Sequence, residues 1–226
     1  MVQSDGADRA CRCIVVRHGE TEWNLVGRQQ GHLDSPLTSL GRAQAQAVAG
    51  ALAGEGVEFV YASDLGRALE TARIIARRLG LEAVPDPGLR ERHLGVLQGL
   101  TMAEFGQRLP DDYAQLRSGD PDYVLPGGES RRQRHTTSVA SLTRIAARHS
   151  GRTALVVVHG GVLMALFRHC LGLPVGGPRH FALRNGGVNR FAFTDGVWWL
   201  ESWGETGHLA GLRSRDDDLG AGHGSR

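Results

Sequence analysis

Thr153-Ala154-Leu155-Val156-Val157-Val158 is a run in which both alternating rows of side chains are apolar. A strand of that kind must be covered on both sides, because successive residues point to opposite faces and neither row tolerates water. It belongs in the middle of a layered α/β fold, not in a sheet with one wet face. Cys13 to Val16 is a second short apolar run, rich in β-branched residues and followed by charge and glycine. It reads as another buried strand.

Between and beyond these runs the periodicity changes to that of helices. Thr38 can cap a helix reaching about Ala53, before Gly54 and Gly56 stop it. Leu65, Leu69, Ala72, Ala76 and Leu79 fall at helical spacing, which predicts an amphipathic helix from about Leu65 to Leu79 ended by Gly80. A longer helix is expected from about Ser130 to His149, and another from about Val162 to Leu171. Further strands are expected at Phe59 to Tyr61, Val188 to Thr194 and Val197 to Ser202. Residues 81–128 are broken by Pro85, Pro87, Pro110, Pro121 and Pro126, with one helix from Thr101 to Leu109.

This alternation predicts a three-layer α/β/α sandwich with a largely parallel central sheet. The expected organisation is one domain over residues 1–203, carrying an inserted cap over about 89–150. Residues 204–226, rich in Gly, Arg and Asp, are expected to form a flexible C-terminal tail.

Composition narrows the function. The chain is 41% apolar and 22% charged, and no apolar run approaches the ~20 residues that span a bilayer. The opening stretch to Ala10 lacks the layout of a secretory signal, so a cytoplasmic location is expected, with no membrane partner. A net charge of +2, with scattered arginines, does not suggest nucleic acid. The three cysteines, Cys11, Cys13 and Cys170, read as reduced thiols, and no metal or other cofactor is expected. The chain contains no lysine. The absence of lysine excludes mechanisms that need its amine, among them P-loop nucleotide hydrolysis, protein kinase chemistry and Schiff-base formation.

Both apolar strands run into histidine and glycine: Arg17-His18-Gly19 and His159-Gly160-Gly161. In open parallel sheets ligands bind outside the carboxyl ends of strands, so both histidines fall on the functional edge. The glycines let backbone N–H groups approach an anion, and Gly160 would lie at a helix N-terminus. Such a pocket suits phosphate.

Four motifs in order then resemble those of the histidine phosphatase, or phosphoglycerate mutase-like, superfamily. They are Arg17-His18-Gly19-Glu20-Thr21-Glu22-Trp23-Asn24; Ser63-Asp64-Leu65-Gly66-Arg67-Ala68 with Thr71-Ala72; Glu91-Arg92-His93-Leu94-Gly95; and Val158-His159-Gly160-Gly161. The resemblance covers roughly residues 12–194. It implies that neutral His18 takes a phosphoryl group from a small phosphate monoester and passes it to water. Arg17, Arg67 and His159 would surround the phosphate, with Asn24 and the Gly160 amide, and Thr21 and Gly31 join the substrate-binding set. Several converging cations suit a reaction whose catalysis approaches ~10²¹-fold. Glu91 is similar to the family's proton donor.

The same resemblance leaves two branches to weigh. Glu91-Arg92-His93 followed by Leu97-Gln98-Gly99-Leu100 is similar to the 2,3-bisphosphoglycerate-dependent phosphoglycerate mutases. That pattern has a tyrosine where Leu94 stands and a lysine where Met102 stands, and it adds an arginine pair that the Asp111–Pro126 stretch lacks. Pro126-Gly127-Gly128-Glu129-Ser130 instead resembles the phosphatase branch. Of Arg131, Arg132 and Arg134, one or two at most would reach the pocket. Hydrolysis is the favoured expectation, with mutase activity and a catalytically idle binding module as alternatives. An edge strand or an apolar helix face leaves a homodimer open.

Overall fold

The structure, a computed structural model, describes residues 9–177 and 179–212. These residues form a six-stranded sheet ordered β3-β2-β4-β1-β5-β6. The strands are β1 (Cys11–Arg17), β2 (Phe59–Ala62), β3 (Ala83–Pro85), β4 (Thr153–Val158), β5 (Val188–Thr194) and β6 (Val197–Glu205). The four strands β3, β2, β4 and β1 are parallel, and β5 and β6 add an antiparallel edge. All six residues of β4 are buried, as their two-sided apolar pattern requires.

Helices cover both faces, and the strand alternation decides which residues meet which layer. Ile14, Val16, Leu155 and Val157 pack with Val48, Ala49, Ala72 and Ile75 from α2 (Ser39–Ala51) and α3 (Gly66–Leu79). Cys13, Val15, Val156 and Val158 point the other way, onto Leu142, Ile145, Val162 and Leu166 of α6 (Arg131–Arg148) and α7 (Gly160–Cys170). Each fully buried aliphatic side chain of this kind contributes roughly 1.5–3 kcal/mol. Cys11 and Cys13 share a face with their sulfurs 3.8 Å apart, as free thiols.

The expected helix boundaries carry capping chemistry. The Thr38 hydroxyl accepts from the Gly41 N–H at 2.9 Å, and Ser130 with Gln133 forms a capping box. Gly80 ends α3 in the left-handed conformation, at φ 72°.

Two expectations are corrected. The helix expected at Thr101 to Leu109 is present as α4 (Met102–Arg108), but it is not alone in that stretch: α5 (Pro110–Ser118) follows it directly. Pro110 begins the second because a first-turn residue has no N–H partner to lose, and Asp111 and Asp112 favour that helix end. The chain also does not loosen after Trp203. β6 continues to Glu205, and Leu209 is buried in a short turn over Gly186. The rest of the expected tail, residues 213–226, lies outside the described residues.

Within the expected cap, Leu94, Leu97, Phe105, Leu116 and Leu125 form a small cluster of their own. The second half of α6 instead belongs to the sheet's core. Among the described residues no helix is long and apolar enough to cross a membrane.

Candidate active site

β1 and β4 lie side by side with Arg17 opposite Val158, so the residue after each strand is delivered to one place. The His18 N–H donates to the Val158 carbonyl at 3.0 Å, and the rings of His18 and His159 lie 5.2 Å apart. Asn185 donates from its side chain to the His18 carbonyl at 2.8 Å, and the Gly19 N–H donates to the Thr71 hydroxyl at 3.1 Å. The backbone around His18 is thereby fixed from the sheet, from α3 and from the loop before β5.

The His18 ring has one defined tautomer. Its Nδ1 lies 2.8 Å from the Gly19 carbonyl oxygen, which can only accept, so Nδ1 carries the proton and Nε2 keeps a lone pair. Burial first, then the charges of Arg67 and Arg17, hold the His18 pKa well below the usual imidazole range. A neutral, nucleophilic imidazole at neutral pH is the result.

Close backbone packing brings the loop to this position. A side chain on Gly41 would place Cβ 2.1 Å from the Glu20 carbonyl oxygen, and one on Gly19 would meet the Gly41 oxygen at 2.4 Å. The first turn of α2 therefore presses directly on the Gly19–Glu20 backbone. Thr38 adds a hydrogen bond from its hydroxyl to the Glu20 carboxylate at 2.8 Å.

Arg67, in the first turn of α3, is almost wholly buried and fully committed in direction. It donates to Asp34 at 2.8 Å and to the carbonyls of Leu33 and Gly31 at 3.0 and 2.8 Å. Burial lowers its pKa against the opposing pull of Asp34, but a guanidinium stays charged. Asp34 also accepts from the Gly66 N–H at 2.5 Å. It caps α3, whose own N-cap residue, Leu65, supplies no side-chain oxygen.

Glu91 is held at the start of α7. Its carboxylate accepts from the Gly161 N–H at 2.9 Å and from the Arg92 N–H at 2.8 Å, while His32 donates from Nε2 to the Glu91 carbonyl at 2.8 Å. Gly161 leaves room for it, since a Cβ there would lie 2.1 Å from a carboxylate oxygen. Arg17 donates to the Leu183 carbonyl.

A cavity of about 710 Å³ opens over these groups. Seven of the nine residues expected from sequence line it: Arg17, His18, Asn24, Gly31, Arg67, Glu91 and Gly160. His159 and Thr21 do not. His159 is completely buried against His18, with its pKa lowered by burial and then by Arg67. Thr21 caps the short helix α1 (Glu22–Leu25), and its hydroxyl is taken up by Asn24 at 3.0 Å and Gln30 at 2.8 Å. It positions pocket residues without facing the pocket.

Both ring nitrogens of His159 and the Arg67 Nε are buried with no hydrogen-bond partner among the described residues. Such groups are costly to leave unsatisfied, and oxygens of a bound phosphoryl group would supply acceptors for the Arg67 Nε and for the one His159 nitrogen that carries a proton. No three His, Cys, Asp or Glu side chains converge as a metal site among the described residues.

Sequence reasoning missed Gln30, Asp34, Arg28, Arg92, His135, Arg168 and Arg179. All but Asp34 line the cavity. From α6, Arg131 and Arg134 reach it, while Arg132 pairs outward with Asp122 at 2.6 Å.

Known proteins resemble this chain over most of its length. Residues 13–206 match the model of the histidine phosphatase superfamily (branch 1). Phosphoglycerate mutase-like protein 4 of Arabidopsis thaliana is 42% identical over 200 residues, covering 87% of this chain and 86% of that protein. The metal-independent phosphoserine phosphatase of the same plant is 39% identical over 202 residues, covering 88% and 83%. Among solved structures, Bacillus stearothermophilus YhfR superposes with a TM-score of 0.82 at 31% identity, covering 88% of this chain and 99% of its own.

Proposed function

The chain belongs to branch 1 of the histidine phosphatase superfamily, and from that premise we propose how its residues divide the work of a phosphomonoesterase. The observation that carries the reading is the His18 ring, neutral, with Nε2 unprotonated, buried against Arg17 and Arg67 at the cavity wall.

Nε2 attacks phosphorus and the bond to the leaving oxygen breaks. Arg17, Arg67 and His159 stabilise the charge on the equatorial oxygens, with Asn24 and the Gly160 amide beside them. Glu91, protonated at this stage, gives its proton to the departing alkoxide. Water then attacks the phosphohistidine, Glu91 takes a proton from it, and the N–P bond breaks to release inorganic phosphate and free His18. The guanidiniums supply the positive charge, which fits the metal independence named for the Arabidopsis phosphoserine phosphatase. The substrate is a small phosphorylated metabolite.

Hydrolysis is favoured over mutase chemistry by two side chains. Leu94 and Met102 both line the cavity, and neither can bind the second charged group of a bisphosphate where the mutase pattern has a tyrosine and a lysine. We place the enzyme in the cytoplasm, in keeping with its three free cysteines. If two copies pair, Val197 and Trp199, exposed on β6, offer a surface.

The test is phosphate release from a chromogenic monoester with and without chelator, beside 3-phosphoglycerate with and without 2,3-bisphosphoglycerate. Chelator-resistant release, an acid-labile phosphate adduct on His18 and loss of turnover in His18→Ala are expected. Full turnover in His18→Ala would end the proposal.

A further inference from the structure

The chain leading into Glu91 is held by charge at both ends. A short turn at Pro87–Leu89 puts Leu89 into the core on the α6 side of the sheet. Asp86 caps that turn, accepting from the Gly88 N–H at 2.9 Å, and also accepts from Arg144 of α6 at 2.6 Å. A Cβ on Gly88 would lie 2.0 Å from the Ser141 hydroxyl oxygen, so the turn rests directly on α6. At its far end Arg90 meets Asp64 through two parallel hydrogen bonds of 2.7 and 2.6 Å. The Arg90 bond lowers the Asp64 pKa against the opposing effect of burial, and the pair is ionised at neutral pH.

Asp64 belongs to the motif that runs from Ser63 to Ala68, yet the chemistry above gives it no task. Neither it nor Arg90 lines the cavity. Their places in the chain are informative. Asp64 stands three residues before Arg67, and Arg90 immediately precedes Glu91. The Asp64 side is anchored to the sheet, because the Ser63 N–H donates to the Val157 carbonyl at 3.0 Å.

The two side chains are 22% and 39% exposed, and an ion pair so open to water adds little stability. Its fork geometry does fix direction and separation. A carboxyl group must come within about 2.6–3.2 Å of the leaving oxygen to protonate it, so an error in the distance from Arg67 to Glu91 falls on proton transfer first.

We propose that the Asp64–Arg90 pair is a positioning strut, which sets the proton donor Glu91 at its working distance from the phosphoryl group on Arg67. The strut rests on the phosphatase reading above, with Glu91 as donor. The bond from His32 to the Glu91 carbonyl and the packing of Leu89 keep the turn folded when the strut is cut.

The experiment compares Asp64→Ala and Arg90→Gln with the native chain on an alkyl and an aryl phosphate, with the urea midpoint measured alongside. Each variant should lower kcat for the alkyl ester about 10- to 100-fold, leave the aryl ester within about threefold, and change KM and the midpoint little. Arg90→Lys keeps the charge without the fork and should recover part of the loss. Asp122→Ala, which breaks a similar pair with Arg132 away from the cavity, should leave both esters as in the native chain. The Glu91→Gln chain has no donor to misplace, so adding Asp64→Ala to it should slow neither ester further. Equal loss on both esters marks a structural role and overturns the strut. So does undiminished alkyl turnover in both single variants, or further loss in the Glu91→Gln background. Each of these leaves the phosphatase reading standing on the native chain's turnover. A native chain that releases phosphate from neither ester ends that reading, and the strut with it.

Discussion

Replacing Gly161 by alanine isolates the proton donor without touching it. The new Cβ would lie 2.1 Å from one Glu91 carboxylate oxygen and 3.0 Å from its carboxyl carbon. Ordinary non-bonded separations are near ~3.5 Å, so the carboxylate must retreat by more than ~1 Å. The retreat also strains the 2.9 Å hydrogen bond from the Gly161 N–H. A misplacement of that size costs roughly 10²-fold, the lower end of what a general acid contributes. Stability should not fall, because Gly161 is exposed in the first turn of α7, where alanine is favoured over glycine by up to ~1 kcal/mol. The assay is steady-state turnover of an alkyl and an aryl phosphate, with the denaturation midpoint measured alongside. Alkyl phosphate turnover should drop about 100-fold and aryl phosphate turnover much less, because a good leaving group needs little protonation. Equal losses on both, or no loss on either, would remove Glu91 from the role of proton donor.

Other substitutions test the supports of the site. Asp34→Ala strips Arg67 of its carboxylate partner and α3 of its cap; a stability loss of about 1 kcal/mol in urea unfolding and a raised KM are expected. Gly41→Ala sets a Cβ against the backbone oxygen of Glu20, which cannot swing aside, and should cost about 1–3 kcal/mol in the same measurement along with much of the activity. Burial holds the pKa values of His18 and His159 well below the ordinary imidazole value of about 6.5. The unfolded chain takes up those protons below about pH 6.5 while the folded one does not, so stability is complete above that pH and falls as pH drops. Each ring contributes up to ~1.4 kcal/mol per pH unit. Denaturation at pH 7.5 and 5.5 should show His159→Gln with a shallower decline than the native chain, and equal slopes would contradict the burial argument.

The sheet's central strands were legible because their chemistry is local. Five successive apolar residues from Ala154 to Val158 admit few environments, and the histidines that follow need only the strand-end rule to be placed. The helix α3 was equally plain from its spacing and from Gly80. What could not be read depends on partners distant in the chain. Asp34 caps a helix that begins beyond another strand, so no local pattern marks it. Thr21 stands in a motif that points to phosphate, yet its hydroxyl turns inward to Asn24 and Gln30. Pro110 looked like a break because proline ends helices as readily as it begins them, and the acidic first turn that follows decides between the two. Which of Arg131, Arg132 and Arg134 reach the pocket has no local signature; only the cavity separates Arg131 and Arg134 from Arg132, which pairs outward with Asp122.

The pairing of β1 with β4 has a bearing on how this protein comes to be active. Its two strands are separated by most of the chain, including α2, α3 and the whole cap, so zipping them together closes a very long loop and ranks among the slowest steps of assembly. His18 and His159 meet only once that zipper is shut. A nascent or half-refolded molecule can therefore own every helix and still be inert, and phosphate release marks the arrival of the finished sheet.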